Sequence, residues 1–172
     1  MIKIGQGVTM SGQRGTYMSK KSVSEAAVKR PWCMITDMDQ YLFGEGTHYE
    51  IYKKLGAHPT EYNGEQGVYF AVWAPNAQAV SVIGEFNDWD GSEDEMIQDA
   101  QSGVFECVQE DAEPGMMYKY RIYQKDGIVL DRFDPYSFGS QVRPDTASII
   151  VDLDQYHFSD SAWIKKRCKN YD

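Results

Sequence analysis

Apolar residues recur at every second position through the middle of the chain, a pattern typical of β-strands. In the segment GVYFAVWAP, Val68, Phe70 and Val72 share one face, and Pro75 follows. We expect this segment to form a strand that has one buried face and ends at the proline. Other segments with strand character are AVSVIGEF, GVFECV, MYKYRIYQ, residues 128–130 and ASIIVDL. About six short strands joined by turns, with no long helix between them, predict a β-sandwich.

Helical patterns flank these strands and are short. They cover residues 24–30, 37–42, 49–55 and 159–167. Pro31 ends the first and Gly56 ends the third, as expected of residues that stop helices. Trp163 and Ile164 are expected to anchor the last helix. Helices this short depend on packing against other elements.

The stretch VSVIGEFNDWDG, residues 80–91, predicts a buried strand that runs into a tight polar loop. The loop presents Trp89 between Asp88 and Asp90. An indole in this position has two uses that the residues alone leave open. It can cover the core of its own domain, or it can offer a flat face to a sugar ring.

The charges are unevenly distributed along the chain. It has 17 basic and 26 acidic residues, a net charge of −9, and residues 55–118 contain no Lys or Arg. Nucleic acids and anionic membranes are bound through Lys and Arg, so we expect neither as a partner. A neutral ligand is not disfavoured by this charge.

The cysteines and histidines predict no metal site, disulfide framework or cofactor. Cys33, Cys107 and Cys168 are odd in number and far apart, which favours a reducing compartment. None of the three histidines is spaced with a cysteine as in a zinc site. The first residues lack the apolar run of a signal peptide, and no segment is long and apolar enough to span a membrane. We therefore expect a soluble cytoplasmic protein.

Several motifs, in order, resemble the N-terminal region of bacterial 1,4-α-glucan branching enzymes, the enzymes of glycogen synthesis. They are YLFGEGTHYEIYKKLGAHP, FAVWAPNAQAVSVIGEFNDWDG, PGMMYKYRI, DGIVLDRFDPYSF and RPDTAS. The combination of FAVWAP with FNDWDG is shared by the wider set of family 48 carbohydrate-binding modules. The lead-in EGTHYEIYKKLGAHP is typical of a narrower set of proteins and indicates a branching enzyme. The resemblance runs from about residue 39 to residue 167.

The resemblance implies an all-β fold, an immunoglobulin-like β-sandwich with short N- and C-terminal helical segments. We expect an N-terminal arm at residues 1–36 that is largely flexible, and a helical lead-in at 37–64. The carbohydrate-binding module would occupy residues 65–154, and a C-terminal helical linker residues 155–172. In full-length relatives such a module precedes a (β/α)8 barrel that cleaves and transfers α-glucan with an Asp and a Glu.

No position of this chain matches those catalytic carboxylates, so we predict no catalytic residue and expect the chain to be inactive alone. The expected function is that of a non-catalytic module that positions α-glucan (glycogen or maltooligosaccharide) and packs on the barrel. Two alternatives stay open: a stand-alone module that targets another protein to glycogen, and a structural domain that does not bind sugar.

The resemblance also implies which residues contact glucan. The stacking platform of glycogen-binding relatives corresponds to Trp89, and the lysine of their YKY strand corresponds to Lys119. Asn87 is a further candidate for a sugar hydroxyl. Strong binders carry a second tryptophan just after the DG turn, where this chain has residues 128–130. We therefore expect weak binding or none.

Other aromatic residues are expected to have structural roles. Trp73 would support the sandwich or meet a neighbouring domain, and Trp163 would pack near the domain junction. His48, Tyr49 and Tyr52 would pack the lead-in against the sandwich or the barrel. His58 has no predicted partner.

Overall fold

The computed structural model describes residues 32–168 except residues 63, 100, 156 and 158. The predicted helix at residues 24–30 and most of the predicted arm lie outside these residues. The last five residues of the arm, 32–36, are described. Here Ile35 is buried and packs in a hydrophobic cluster with Ile51 and Leu55.

Helices occupy little of the described chain. Helix α1 spans Asp37–Gly44 and helix α2 spans Ser161–Cys168. Two 3-10 turns lie at Ile51–Lys53 and Glu85–Asn87. The predicted helices at 37–42 and 159–167 are thus present. Of the helical pattern at 49–55, only residues 51–53 are helical, as a single 3-10 turn.

Strands are the more abundant regular structure in the described residues. They are β1 (Gly56–Tyr62), β2 (Glu65–Trp73), β3 (Ala77–Gly84), β4 (Ile97–Gln98), β5 (Val104–Gln109), β6 (Met117–Gln124), β7 (Val129–Arg132), β8 (Gly139–Ser140) and β9 (Ser148–Ile149). The strands form two antiparallel sheets. Sheet A has the order β1-β2-β5-β4, and sheet B has the order β3-β6-β9-β8 with β7 also paired to β6.

The main core lies between the two sheets, which confirms the predicted immunoglobulin-like β-sandwich. Alternate residues of each strand point to this core, because successive side chains of a strand face opposite sides. Val68, Phe70 and Val72 come from sheet A; Val80 and Val82 come from sheet B. All five are at most 5% exposed.

The prediction that β2 has only one buried face is wrong. Tyr69 and Ala71, on the opposite face, are fully buried, while Trp73 at the end of the strand is exposed. The segment from residue 32 to Leu55 covers this outer face, with Ile35 and Leu55 in the same cluster as Tyr69. An alternating sequence cannot reveal that a second layer lies over its less apolar face.

The lead-in is helical only in its first half. Gly56–Tyr62 forms the edge strand β1, which pairs along its whole length with β2. Pro59 is compatible with this strand because a proline, which lacks a donor, is tolerated at the edge of a sheet. The polar sequence HPTEYNG gave no alternating signal, so this strand was not predicted.

The expected anchor residues of the C-terminal helix are exposed. Trp163 is 59% and Ile164 is 39% exposed. The guanidinium of Arg167 lies 4.8 Å from the centre of the Trp163 ring, which is within cation–π range. Within the described residues, α2 therefore does not pack through these side chains.

Candidate functional site

The loop that follows β3 holds Trp89 in an unusual backbone conformation. Asp88 and Trp89 have positive φ angles of 52° and 62°. A positive φ is uncommon outside glycine and costly for a bulky residue such as tryptophan. Backbone hydrogen bonds from Trp89 N to Gly84 O (2.9 Å) and from Asp90 N to Asn87 O (2.9 Å) maintain it. Conformations of this kind persist where the surrounding structure enforces them, often at functional sites.

The side chain of Asn87 makes hydrogen bonds that stabilise this loop conformation. Its Oδ1 accepts from Gly84 N at 2.8 Å, and its Nδ2 donates to Val82 O at 3.0 Å and to Asp94 Oδ2 at 2.7 Å. The side chain thus ties both ends of the loop to β3. These bonds favour a structural role for Asn87, and its contact with a sugar hydroxyl stays a prediction.

The loop folds over the outer face of sheet B. A Cβ added to Gly91 would lie 2.7 Å from Ile83 Cγ2 and 2.7 Å from Ser81 Cβ, so the backbone passes directly over these two side chains. Ser81 and Ile83 are buried on a face that would otherwise be open. Only a glycine permits this approach. Trp89 itself is partly buried.

Lys119 lies on the same outer face. It is the cross-strand partner of Ile83 in the β3–β6 pair, and its neighbours Tyr118 and Tyr120 point into the core. The Lys119 ammonium donates to Thr146 Oγ1 at 3.0 Å. The register therefore brings Lys119 beside the residue that the Trp89 loop covers, and Thr146 joins them.

The outer face continues towards β7 with a charged pair and apolar side chains. Arg121 makes two hydrogen bonds to Asp131, at 2.8 and 3.0 Å. This pair holds the pKa of Asp131 below its ordinary value, chiefly through the hydrogen bond from Arg121. Ile128 and Val129 are 51% and 49% exposed at the β6–β7 hairpin. This face therefore carries the Lys119 ammonium and the Thr146 hydroxyl next to Ile83, the strand residue that the Trp89 loop covers.

The remaining candidate aromatics lie away from this face. Trp73 is 51% exposed, donates from Nε1 to Ser102 O at 3.0 Å, and meets the Phe43 ring edge-on at 5.5 Å. It links α1 to sheet A. Tyr49 and Tyr52 are 85% and 43% exposed, so they do not pack the lead-in against the sandwich.

The two histidines of the lead-in have partners. His48 Nε2 lies 2.7 Å from Asp39 Oδ1 in the buried network around that carboxylate. His58, for which no partner was predicted, lies 3.0 Å from Leu55 O through Nε2 and meets the Phe138 ring at 6.0 Å. Both side chains are structural in this arrangement.

Asp134 is a buried carboxylate beneath the site that sequence reasoning missed. Its Oδ2 accepts from the Tyr118 hydroxyl at 2.6 Å and the Tyr120 hydroxyl at 3.3 Å. Its Oδ1 accepts from Tyr136 N, and its own N–H donates to Ser148 Oγ. Burial raises the pKa of Asp134, and the hydrogen bonds from Tyr118 and Tyr136 oppose that rise. The sequence places Asp134 in a turn, DPY, and this pattern did not predict a buried carboxylate.

The described residues contain no group of three or more His, Cys, Asp or Glu side chains placed to hold a metal ion. No helix in the described part of the chain is both long and apolar enough to cross a membrane. On the outer face of sheet B, the Trp89 loop passes over Ile83, and Lys119, the cross-strand partner of Ile83, donates to Thr146.

Residues 54–137 match the model of the carbohydrate-binding module 48 family, described as the isoamylase N-terminal domain. The chain is similar to curated proteins named 1,4-alpha-glucan branching enzyme GlgB. The relative from Trichodesmium erythraeum is 46% identical over 152 residues, which are 86% of this chain and 20% of the relative. The relative from Synechococcus sp. (strain JA-3-3Ab) is 48% identical over 77% of this chain and 17% of its own length.

Solved structures show the same fold. The ligand-free PulA of Klebsiella pneumoniae superposes on 64% of this chain and 11% of its own, with a TM-score of 0.50 and 24% identity. A pullulanase from Anoxybacillus sp. LM18-11 covers 72% of this chain and 16% of its own, also with a TM-score of 0.50 and 24% identity.

The sandwich and its sequence match identify residues 54–137 as a carbohydrate-binding module of family 48. Within that family, the chain belongs with the N-terminal regions of glycogen branching enzymes, the particular relationship that its motifs predicted. It spans about a fifth of the length of the curated relatives that it matches.

Proposed function

We propose that this chain binds α-glucan as the N-terminal module of a cytoplasmic 1,4-α-glucan branching enzyme of glycogen synthesis. The observation that carries the binding role is the enforced conformation of the Trp89 loop beside Lys119 on the outer face of sheet B. The names of the relatives, at 46% identity over most of the chain, support the parent enzyme.

Binding would rest on stacking. A glucose ring has an apolar face of C–H groups that fits the flat face of an indole, while its edge carries hydroxyls. By analogy with bases on aromatic side chains, one such platform contributes about 1–3 kcal/mol. Lys119 and Thr146, already 3.0 Å apart, would share hydroxyl contacts at the edge of the ring.

The proposal gives this module a positioning role and leaves bond cleavage to the catalytic barrel of the parent enzyme. Retaining cleavage of glycosidic bonds needs two carboxyl groups about 5–5.5 Å apart on either side of the bond. On the outer face of sheet B, the carboxylate of Asp131 is paired with Arg121. The module would hold glucan near the barrel and pack against it.

Affinity electrophoresis in glycogen-containing gels tests the binding role. We expect the wild-type chain to be retarded, Trp89→Ala to lose most of that retardation, and Lys119→Ala to lose part of it. Trp163→Ala is the matched control, because it removes an exposed indole from another part of the molecule. Equal migration of wild type and Trp89→Ala would contradict the proposal.

A structural module that does not bind sugar is the second candidate. The exposed Ile128 and Val129 at the β6–β7 hairpin favour it, because they leave one indole where strong binders have two. If this candidate is correct, neither the wild-type chain nor any of its three variants would be retarded in the glycogen-containing gels. Trp89→Ala would then affect only thermal stability.

A further inference from the structure

One edge of strand β6 is completed by two different strands, which meet at Lys119. β3 pairs along one edge of β6, so β9, which pairs with Tyr118, and β7, which pairs with residues 120–123, share the other edge. The pairing of β6 with β9 ends at Tyr118 and Ser148, and Thr146 lies two residues further along the chain from that end. The backbone ladder alone therefore does not set the distance between Lys119 and Thr146.

Asp134 occupies the inner side of this junction. It lies two residues after the end of β7 and is 2% exposed. Its N–H donates to Ser148 Oγ at 2.9 Å, and its Oδ2 accepts from the Tyr118 hydroxyl at 2.6 Å. Tyr118 and Ser148 are cross-strand partners, so one residue holds both members of the last β6–β9 pair from within the core.

Asp134 is itself fixed relative to sheet A. The Tyr120 hydroxyl lies 3.3 Å from Asp134 Oδ2 and 3.4 Å from Ala71 O in β2. Tyr136 N donates to Asp134 Oδ1 at 2.8 Å. A Cβ added to Gly56, at the start of β1, would lie 3.2 Å from Tyr136 O, so this turn packs closely on the β1 backbone. The junction of β7 and β9 is therefore held against the opposite sheet.

We propose that Asp134 is a positioning residue for the outer face of sheet B. By holding Tyr118 and Ser148, it keeps the Lys119 ammonium and the Thr146 hydroxyl at the separation that lets both reach one sugar hydroxyl. The consequence for sugar rests on the proposed glucan-binding function, whereas the positioning itself is measurable without sugar. Asp134→Asn leaves one acceptor oxygen in place of two, so the backbone N–H of the turn and the tyrosine hydroxyl could not both be satisfied.

Competitive acylation of lysines in the absence of sugar tests the positioning. The Lys119 ammonium is held by its hydrogen bond to Thr146 Oγ1, and the exposed Lys125 is an internal reference. We expect Asp134→Asn to raise the acylation rate of Lys119 relative to Lys125 about threefold, the order expected when one hydrogen bond is weakened. Tyr118→Phe removes only the hydroxyl bound to Oδ2 and should give a similar increase, measured by mass spectrometry of the labelled peptides.

Val72→Ala separates positioning from a general loss of stability. Val72 is 5% exposed and belongs to the core on the side of sheet A. Its truncation should lower the free energy of unfolding and leave the relative rate of Lys119 unchanged at a temperature where all variants are folded. An unchanged Lys119 rate in both Asp134→Asn and Tyr118→Phe, or an equal increase in Val72→Ala, would overturn the proposal.

Affinity electrophoresis at several glycogen concentrations measures the consequence for binding. We expect Asp134→Asn to raise the dissociation constant about threefold, as for one weakened hydrogen bond, although Trp89, Lys119 and Thr146 are unchanged. In a background that carries Lys119→Ala and Thr146→Val, the same substitution should have no further effect. Equal retardation of wild type and Asp134→Asn, or a further loss in that background, would overturn the proposal. A wild type that glycogen does not retard would contradict the glucan-binding function, and the acylation rates would still decide the positioning.

Discussion

A single amide, that of Asn87, holds the candidate site in shape. The loop backbone is strained at Asp88 and Trp89, and the three side-chain hydrogen bonds of Asn87 oppose its relaxation. The sequence predicted which loop would present the indole, because FNDWDG is a turn-forming stretch after an alternating strand. It did not predict the role of Asn87, since the partner Asp94 becomes a neighbour only when the loop closes.

We expect Asn87→Ala to destabilise the fold by about 1–3 kcal/mol, since it leaves Gly84 N and Val82 O without their partners. Retardation by glycogen should fall as well, although Trp89 is unchanged. Urea unfolding and the gel assay measure the two effects. Asn76→Ala, at an exposed position in the turn between β2 and β3, should change neither. An unaltered unfolding midpoint in Asn87→Ala would show that the loop holds its shape without this amide.

Asp134 should give the fold a component of stability that decreases as pH rises. Burial raises its folded-state pKa above the unfolded value of about 3.9, so the folded chain binds this proton more tightly. This contribution to stability is therefore fully present below about pH 4 and is lost as the pH rises through the folded-state pKa. We expect the stability difference, wild type minus Asp134→Asn, to decrease between pH 4 and pH 7. Unfolding in urea at several pH values measures it, and an increase over this range would contradict the assignment.

At the scale of elements, alternation in the sequence located the strands with one polar and one apolar face. β3, β5 and β6 were predicted. β4, β8 and β9 have two residues each in the structure, too few to establish a period. β9 was still found within the longer apolar stretch ASIIVDL, whereas β4 and β8 had no such context. The second layer on sheet A was missed because its contacts, such as Tyr69 and Cys33 to the buried Glu106, join residues far apart in the chain.

One carboxylate connects the elements of this second layer. Asp39 completes the capping box of α1 with Thr36, and it also binds His48 and Lys54 from the following turns. Burial alone would raise the pKa of Asp39, but the hydrogen bonds from Lys54, Thr36 and His48 hold it well below its ordinary value. Its contribution to stability is therefore present above about pH 4, the range of the unfolded-state value, and is lost as pH falls through the lower folded-state pKa.

We expect Asp39→Asn to destabilise the chain by about 2–3 kcal/mol near neutral pH, because hydrogen bonds to a charged group are among the stronger ones. The difference from wild type should shrink as the pH is lowered from about 5. Glu50→Gln, which removes an exposed ion pair with Lys53, is the matched control and should cause little change. A destabilisation that is the same at pH 3 and pH 7 would contradict the charged role of Asp39.

At the scale of the whole molecule, the side chains that the fold leaves uncovered are informative. Tyr49 precedes the 3-10 turn of the lead-in and Tyr52 lies within it; the two are 85% and 43% exposed, although the turn itself is anchored by buried Ile51. Neighbouring exposed aromatics on an anchored turn are typical of surfaces that contact another protein or domain. In the parent enzyme that we propose, the catalytic barrel is the natural candidate for this contact.

Without such a cover, the same surface should drive self-association at high concentration. We expect sedimentation velocity to show a concentration-dependent dimer, and Tyr49→Ser with Tyr52→Ser to raise its dissociation constant about tenfold or more, since buried tyrosines often dominate interfaces. Ile128→Ser, which removes an exposed apolar side chain at the opposite sheet, should leave association unchanged. Adding a purified barrel domain should compete with the dimer if both use the tyrosine surface. If the wild type stayed strictly monomeric at high concentration, the tyrosine surface would not drive self-association. Binding of the barrel would then have to be measured directly on the tyrosine variant.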